Sequence, residues 1–143
     1  MSDSEVMGLA FGISFFVILI FVVILIFFLL SLSKLSDVVR VENNYVTYVS
    51  KAWVWTQLIP VWGFIAMLVY HIKMTEATRA VEKEFDLNFK TIQYPEVLGW
   101  FYALAFLYAW IPVAGFASLV VWIIYWVQVA STSAQIIRLK NQK

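Results

Sequence analysis

No charged residue occurs between positions 97 and 127. As one helix, those 31 residues would be about 46 Å long, against a bilayer hydrocarbon core of about 30 Å. A single straight span would leave about a third of its length outside the core. Near the middle stand Ile111-Pro112-Val113-Ala114-Gly115-Phe116. Proline stops a helix and glycine supplies a turn, so the stretch is expected to fold back as a hairpin of residues 95–111 and 114–138. The same pattern, Ile59-Pro60-Val61-Trp62-Gly63-Phe64, occurs 52 residues earlier with five of six positions identical. The chain thus carries an internal Ile-Pro-Val-x-Gly-Phe repeat.

Composition points to lipid as the solvent. Hydrophobic residues make up 63% and charged ones 13% of 143 residues, where soluble domains run at about 45–50% and about 25%. A globule this small cannot hide that much apolar surface, and the length allows one domain, 1–143. A net charge of +1 gives no polyanion signature, so no nucleic-acid partner is expected. Cysteine is absent, which excludes disulfides, thiolate nucleophiles and cysteine-ligated metals.

Residues 9–30 are nearly all Phe, Val, Ile and Leu, about 33 Å of helix and enough for a full span. The leader before them is acidic where a signal peptide is basic, so this segment is expected to remain as a membrane helix. Ser2 and Glu5 have capping-box spacing. Ser4, Gly8 and Gly12 form a small-xxx-small series that offers a neighbouring helix a close seat. The helix is expected to run on over 33–41, with Leu32, Leu35 and Val38/Val39 on one face, until Asn43-Asn44 stops it. Tyr45, Tyr48, Trp53 and Trp55 cluster beside Lys51, as at a headgroup level, and the seven Trp and seven Tyr read as interfacial belts.

Residues 52–72 form the second apolar stretch. A charged segment follows, 73–86, with Met74, Ala77/Thr78, Val81 and Phe85 at helical spacing. It reads as a cytoplasmic helical extension with i,i+3 pairs Glu76–Arg79 and Arg79–Glu82. Pro95-Glu96 suits the first turn of the next helix. The expected architecture is an all-α, multi-pass membrane protein of about four spans, near 6–32, 52–72, 96–111 and 114–136. The N-terminus, 73–95 and the C-terminus would then share the cytoplasmic side with seven Lys/Arg, the other side holding three (34, 40, 51). The repeat supports an alternative: one helix, a re-entrant hairpin over 52–72 and a full hairpin, with all ten Lys/Arg on one side. That arrangement needs cover for backbone at membrane depth.

Several residues resemble a group of short bacterial multi-pass inner-membrane proteins in which a Trp precedes Leu-Ile-Pro, an amphipathic segment ends in Glu-Phe, and a late helix carries Ile-Ile-Tyr-Trp. Here these are Trp55 with Leu58-Ile59-Pro60, Glu84-Phe85, and Ile123-Ile124-Tyr125-Trp126. The likeness covers residue 45 to the C-terminus; the group's Arg-x-Met-Pro before the Trp is missing. It implies a bacterial inner (cytoplasmic) membrane location and brings no activity with it.

Ionisable residues deep in a span flag transport or proton relay; here every Asp, Glu, Lys and Arg falls at an end or in a loop. His71, the only histidine, reads as a polar interface residue, with a pH-sensitive role as the sharper alternative. Without Cys or a second His it cannot complete a usual metal site. Thr56 and Gln57 precede Pro60, where a carbonyl loses its partner and Thr56 can satisfy it. Alternatively Thr56 and Gln57, with Pro60, Gly63, Pro112, Gly115 and Gln128, line a pore or interface, and Gln128, Ser131, Thr132 and Ser133 offer Gln57 hydrogen bonds. No nucleophile–base pair, carboxylate dyad or phosphate loop is present, so no catalytic site, cofactor or metal is expected and the chain reads as a non-enzyme. The expected function is a structural or accessory subunit, partnered by lipid and by itself or a larger membrane complex. The alternatives are a homo-oligomeric pore and, third, a lipid enzyme using His71 and Glu76.

Overall fold

The computed structural model describes residues 3–40, 49–59, 61–87, 91–108 and 111–142. Among them every regular element is a helix: α1 (Asp3–Val38), α2 (Ala52–Trp55) continued by a 3-10 turn (Thr56–Leu58), α3 (Trp62–Glu84), α4 (Glu96–Ala103), α5 (Ala105–Tyr108) and α6 (Pro112–Asn141). Two of these, over Ser4–Val38 and Pro112–Asn141, are long and apolar enough to cross a membrane. The chain divides into two units, Met1–Leu30 and Ser31–Lys143.

The first unit is helical from Asp3 onward. From Ser4 to Ile24 every side chain is exposed. Nothing lies within contact distance of a Cβ built on Gly8 or Gly12. The expected capping box falls partly on Ser2, outside the described residues, as do Asn43, Asn44, Tyr45 and Tyr48.

In the second unit both copies of the repeat break the chain. Residues 52–72, expected as a single span or as the two legs of a re-entrant hairpin, break in two: α2 with its 3-10 turn ends at Leu58, and α3 begins at Trp62. The cause is local. A residue before proline is pushed out of the helical region, and Ile59 (φ −80°, ψ 120°) and Ile111 (φ −88°, ψ 120°) are both extended. Each isoleucine carbonyl then accepts from the glycine four residues on, Gly63 N–H at 2.7 Å and Gly115 N–H at 2.8 Å. Pro112 opens α6, where a missing N–H costs nothing; Pro60 lies outside the described residues. The copies diverge at the next position. Val61 has φ 66°, a region strained for a β-branched side chain, and α3 starts only after it.

The glycine of the first copy is required by close approach: a Cβ on Gly63 would overlap the Gln57 carbonyl oxygen. Trp53 and Trp62 stack with centroids 6.2 Å apart, so the two legs of the first hairpin lie side by side. The second hairpin is also less regular than expected over 96–111. After Ala103 the bonding tightens to i,i+3 pairs, Leu107 N–H to Leu104 O (3.0 Å) and Ile111 N–H to Tyr108 O (3.1 Å), which breaks the helix at Leu104. α6 contains the expected 114–136. α3 continues through the extension to Glu84 and ends with Asp86 at φ 51° and Leu87 N–H on Glu82 O at 2.9 Å, a left-handed stop. The stripe Met74, Ala77, Thr78 and Val81 is buried within this unit, so it is no free surface.

The last turns of α1 belong to the same unit, with Leu32, Leu35 and Val39 buried. Tyr70 OH donates to Leu32 O at 2.9 Å and Trp126 Nε1 donates to Ser31 Oγ at 2.8 Å. Further on, Lys140 Nζ donates to Arg40 O at 2.7 Å, and Lys51 Nζ pairs with Asp37 at 2.8 Å. Residues 31–40 therefore run alongside 126–140 in the same direction.

Candidate functional site

Between the hairpins the chain buries a set of polar aromatic groups. α3 supplies Tyr70 and His71, the segment before α4 supplies Tyr94, α4 supplies Trp100 and Tyr102, α6 supplies Tyr125, and the 3-10 turn supplies Gln57. His71 Nδ1 lies 3.1 Å from Tyr94 OH, which lies 3.2 Å from Tyr125 OH. Tyr125 stacks on Tyr102 at 5.1 Å, and Tyr102 OH donates to Gln57 Oε1 at 2.7 Å. The edge of the His71 ring meets Trp100 at 5.1 Å. One hydroxyl after another thus finds its partner inside the protein, as buried phenols require.

The close fit of His71 depends on a second glycine. A Cβ on Gly99 would overlap the imidazole at Cε1 and Nδ1. With the ring 1% exposed it has nowhere to retreat, so Gly99→Ala is expected to destabilise the fold by about 2 kcal/mol. Adding His71→Ala should offset part of that loss, giving a coupling of about 1 kcal/mol or more in a double-mutant cycle of thermal unfolding in detergent. Strictly additive losses would show that the two residues do not meet.

Below this set lies a buried ion pair. Glu82, 3% exposed, accepts from Ile92 N–H at 2.8 Å and from Arg79 Nη1 at 2.8 Å. Arg79 Nη2 reaches Glu96 on α4. Burial works against the Arg79 charge, but the hydrogen bonds and charges of Glu82 and Glu96 outweigh it and raise its pKa above the usual value. From the other side α6 holds the same segment. Thr132 Oγ1 donates to Gln93 O at 2.8 Å, Gln135 Oε1 accepts from Gln93 N–H at 3.2 Å, and Gln135 Nε2 donates to Thr91 O at 3.0 Å. A cavity of about 490 Å³ opens beside it, walled by Arg79, Gln93, Glu96, Leu98, Gln128 and Ser131 among others.

The residues singled out in the sequence separate here. Gln57 is buried and held by Tyr102, not by Gln128, Ser131, Thr132 or Ser133: Thr132 donates to Gln93 O and Ser133 to Val129 O, and Gln128 and Ser131 face the cavity. Its Nε2 has no hydrogen-bond partner. Thr56 Oγ1 donates to Ala52 O at 2.7 Å, the carbonyl four residues back. Gly63 is buried, Gly115 half-buried and Pro112 exposed. Gln128 lines the cavity. His71, expected at an interface, is interior because α4 closes over it at Gly99; Glu76 is exposed on another face of α3, five residues being about 140° round a helix. Among the described residues no group of three His, Cys, Asp or Glu is placed to hold a metal.

Sequence reading missed Tyr70, Tyr94, Tyr102 and Tyr125, assigned to interfacial belts and found buried. A signal existed for two of them: Tyr102 and Tyr125 fall inside the uncharged run, where a hydroxyl needs an internal partner. Tyr102→Phe is expected to cost about 1–2 kcal/mol, because Gln57 Oε1 then joins its Nε2 without a partner. Gln57→Leu added to Tyr102→Phe should recover most of that loss, read from unfolding midpoints in detergent. The chain matches no protein-family model, no curated protein and no solved structure.

Proposed function

We propose that the chain is a structural, non-enzymatic subunit of a bacterial inner membrane, built as one crossing helix and two hairpins that enter and leave on the charged side. The observation that carries the topology is the pair of contacts at the end of α1, Lys140 Nζ on Arg40 O and Lys51 on Asp37. They bring the start of the first hairpin to the level of the C-terminus. Arg40 and Lys51 then lie on the C-terminal, cytoplasmic side, and this reading puts all ten Lys/Arg on that side. Four spans would require both on the opposite face.

Backbone cover at the first turn supports the same arrangement. Ile59 O accepts from Gly63, Thr56 O from Ile59 N–H at 3.1 Å, and Ala52 O from the Thr56 hydroxyl. These three carbonyls at the turn are thus satisfied without water, as irregular backbone in lipid requires. α1 is the assembly helix in this reading. It is apolar on all sides, exposed from Ser4 to Ile24, with an open face at Gly8 and Gly12, and its partner is a second copy or a larger membrane complex.

Two measurements test this. A single cysteine at Asn43, introduced into the cysteine-free chain, should resist a membrane-impermeant maleimide in intact cells and react only after lysis, while one at Ser4 should react from outside. Labelling of Asn43→Cys in intact cells would restore four spans. For assembly, purification in mild detergent should retain a defined oligomer or a partner; a clean monomer at every detergent concentration would remove the subunit role.

A further inference from the structure

We propose that the protein is a one-sided membrane wedge, favouring a leaflet that curves outward around its charged end. The inference rests on the topology above and deepens it by naming the partner: the acyl chains of a single leaflet. Its basis is the depth of the two hairpins.

The first hairpin rises from Lys51, paired with Asp37, to Ile59, eight residues or about 12 Å. It descends through Trp62 to Ile72, about 16 Å. A leaflet contributes about 15 Å of hydrocarbon, half the core, so this hairpin fits within one leaflet. The second is deeper. Trp126, bonded to Ser31, marks its base by the preference of Trp for the interface. From there Pro112 is 14 residues away, about 21 Å, and short of the far surface.

Both turns present apolar side chains. Ile59 is 50% and Val61 77% exposed at the first, Ile111 58% and Val113 80% at the second. Such surfaces suit acyl chains rather than headgroups. The first hairpin is also locked short. The approach of Gly63 to the Gln57 carbonyl and the stacking of Trp53 on Trp62 hold its legs together. On the charged side the leaflet must accommodate both legs of the first hairpin and both legs of the second. The far leaflet holds only the end of the second hairpin. With helices about 10 Å across, the near leaflet is forced apart by the excess cross-section.

The test uses the full chain reconstituted into phosphatidylethanolamine–phosphatidylglycerol vesicles, large and small, with a single cysteine at Asn43 or at Asn141 and an impermeant maleimide. On a small vesicle the outer leaflet is the more expanded one. The ratio of Asn141→Cys labelled from outside to Asn141→Cys protected should therefore exceed that on large vesicles by about twofold, equivalent to about 0.4 kcal/mol. Asn43→Cys should follow it. Equal fractions on both sizes, with the two cysteines still labelled together, would overturn the wedge and leave the topology standing. Labelling of the two cysteines from opposite faces would overturn both.

Discussion

Gly63→Ala is expected to lower the unfolding midpoint in detergent, although alanine is the better helix former. Intrinsic propensity favours the substitution by about 1 kcal/mol. Against it, the new Cβ would overlap a backbone atom, the Gln57 carbonyl oxygen, which cannot rotate away as a side-chain tip can. Overpacking of that kind costs about 1–3 kcal/mol and more where backbone must move. The net expectation is a loss of about 2 kcal/mol, or about 5 °C for a chain of this size. A Gly63→Ala midpoint equal to that of the unaltered chain would mean that the first hairpin does not close as described.

The repeat was the most legible part of this fold. Ile-Pro fixes an extended isoleucine by sterics alone, and glycine four residues on accepts the close turn, so the second hairpin could be read from the sequence and the first stood as the alternative to a single span. Their depth could not. A 21-residue apolar stretch has the composition of a span whether it crosses or returns, and the contact on which the proposed topology most depends, Lys140 with Arg40, joins residues 100 positions apart. The buried tyrosines were hidden for a related reason. Tyrosine is equally at home in an interfacial belt and in an interior where its hydroxyl has a partner, and neither Tyr94 nor Tyr70 sits in a pattern that separates the two. Gly99 gave no signal, because its role comes from a ring supplied by another helix.

Arg79→Leu should be among the most damaging single changes in the second unit. Alone, a surface Arg–Glu pair at i,i+3 contributes only a few tenths of a kcal/mol. This pair is different because Glu82 is 3% exposed and also accepts the Ile92 N–H. Removing Arg79 takes the counter-charge from a carboxylate in the interior, and breaking a buried pair from one side costs about 3–5 kcal/mol. The same change removes the Arg79 contact of Glu96 in the first turn of α4, three residues before the Gly99 seat of His71. The loss should therefore reach the aromatic set as well, seen as altered tyrosine and tryptophan fluorescence before unfolding. Glu82→Gln placed on Arg79→Leu discriminates the causes. The amide keeps an oxygen for Ile92 and removes the buried charge, so it should restore at least half of the lost stability. If the double variant is no better than Arg79→Leu, the cost lies in the lost link to α4, and Glu96→Gln alone should then reproduce it.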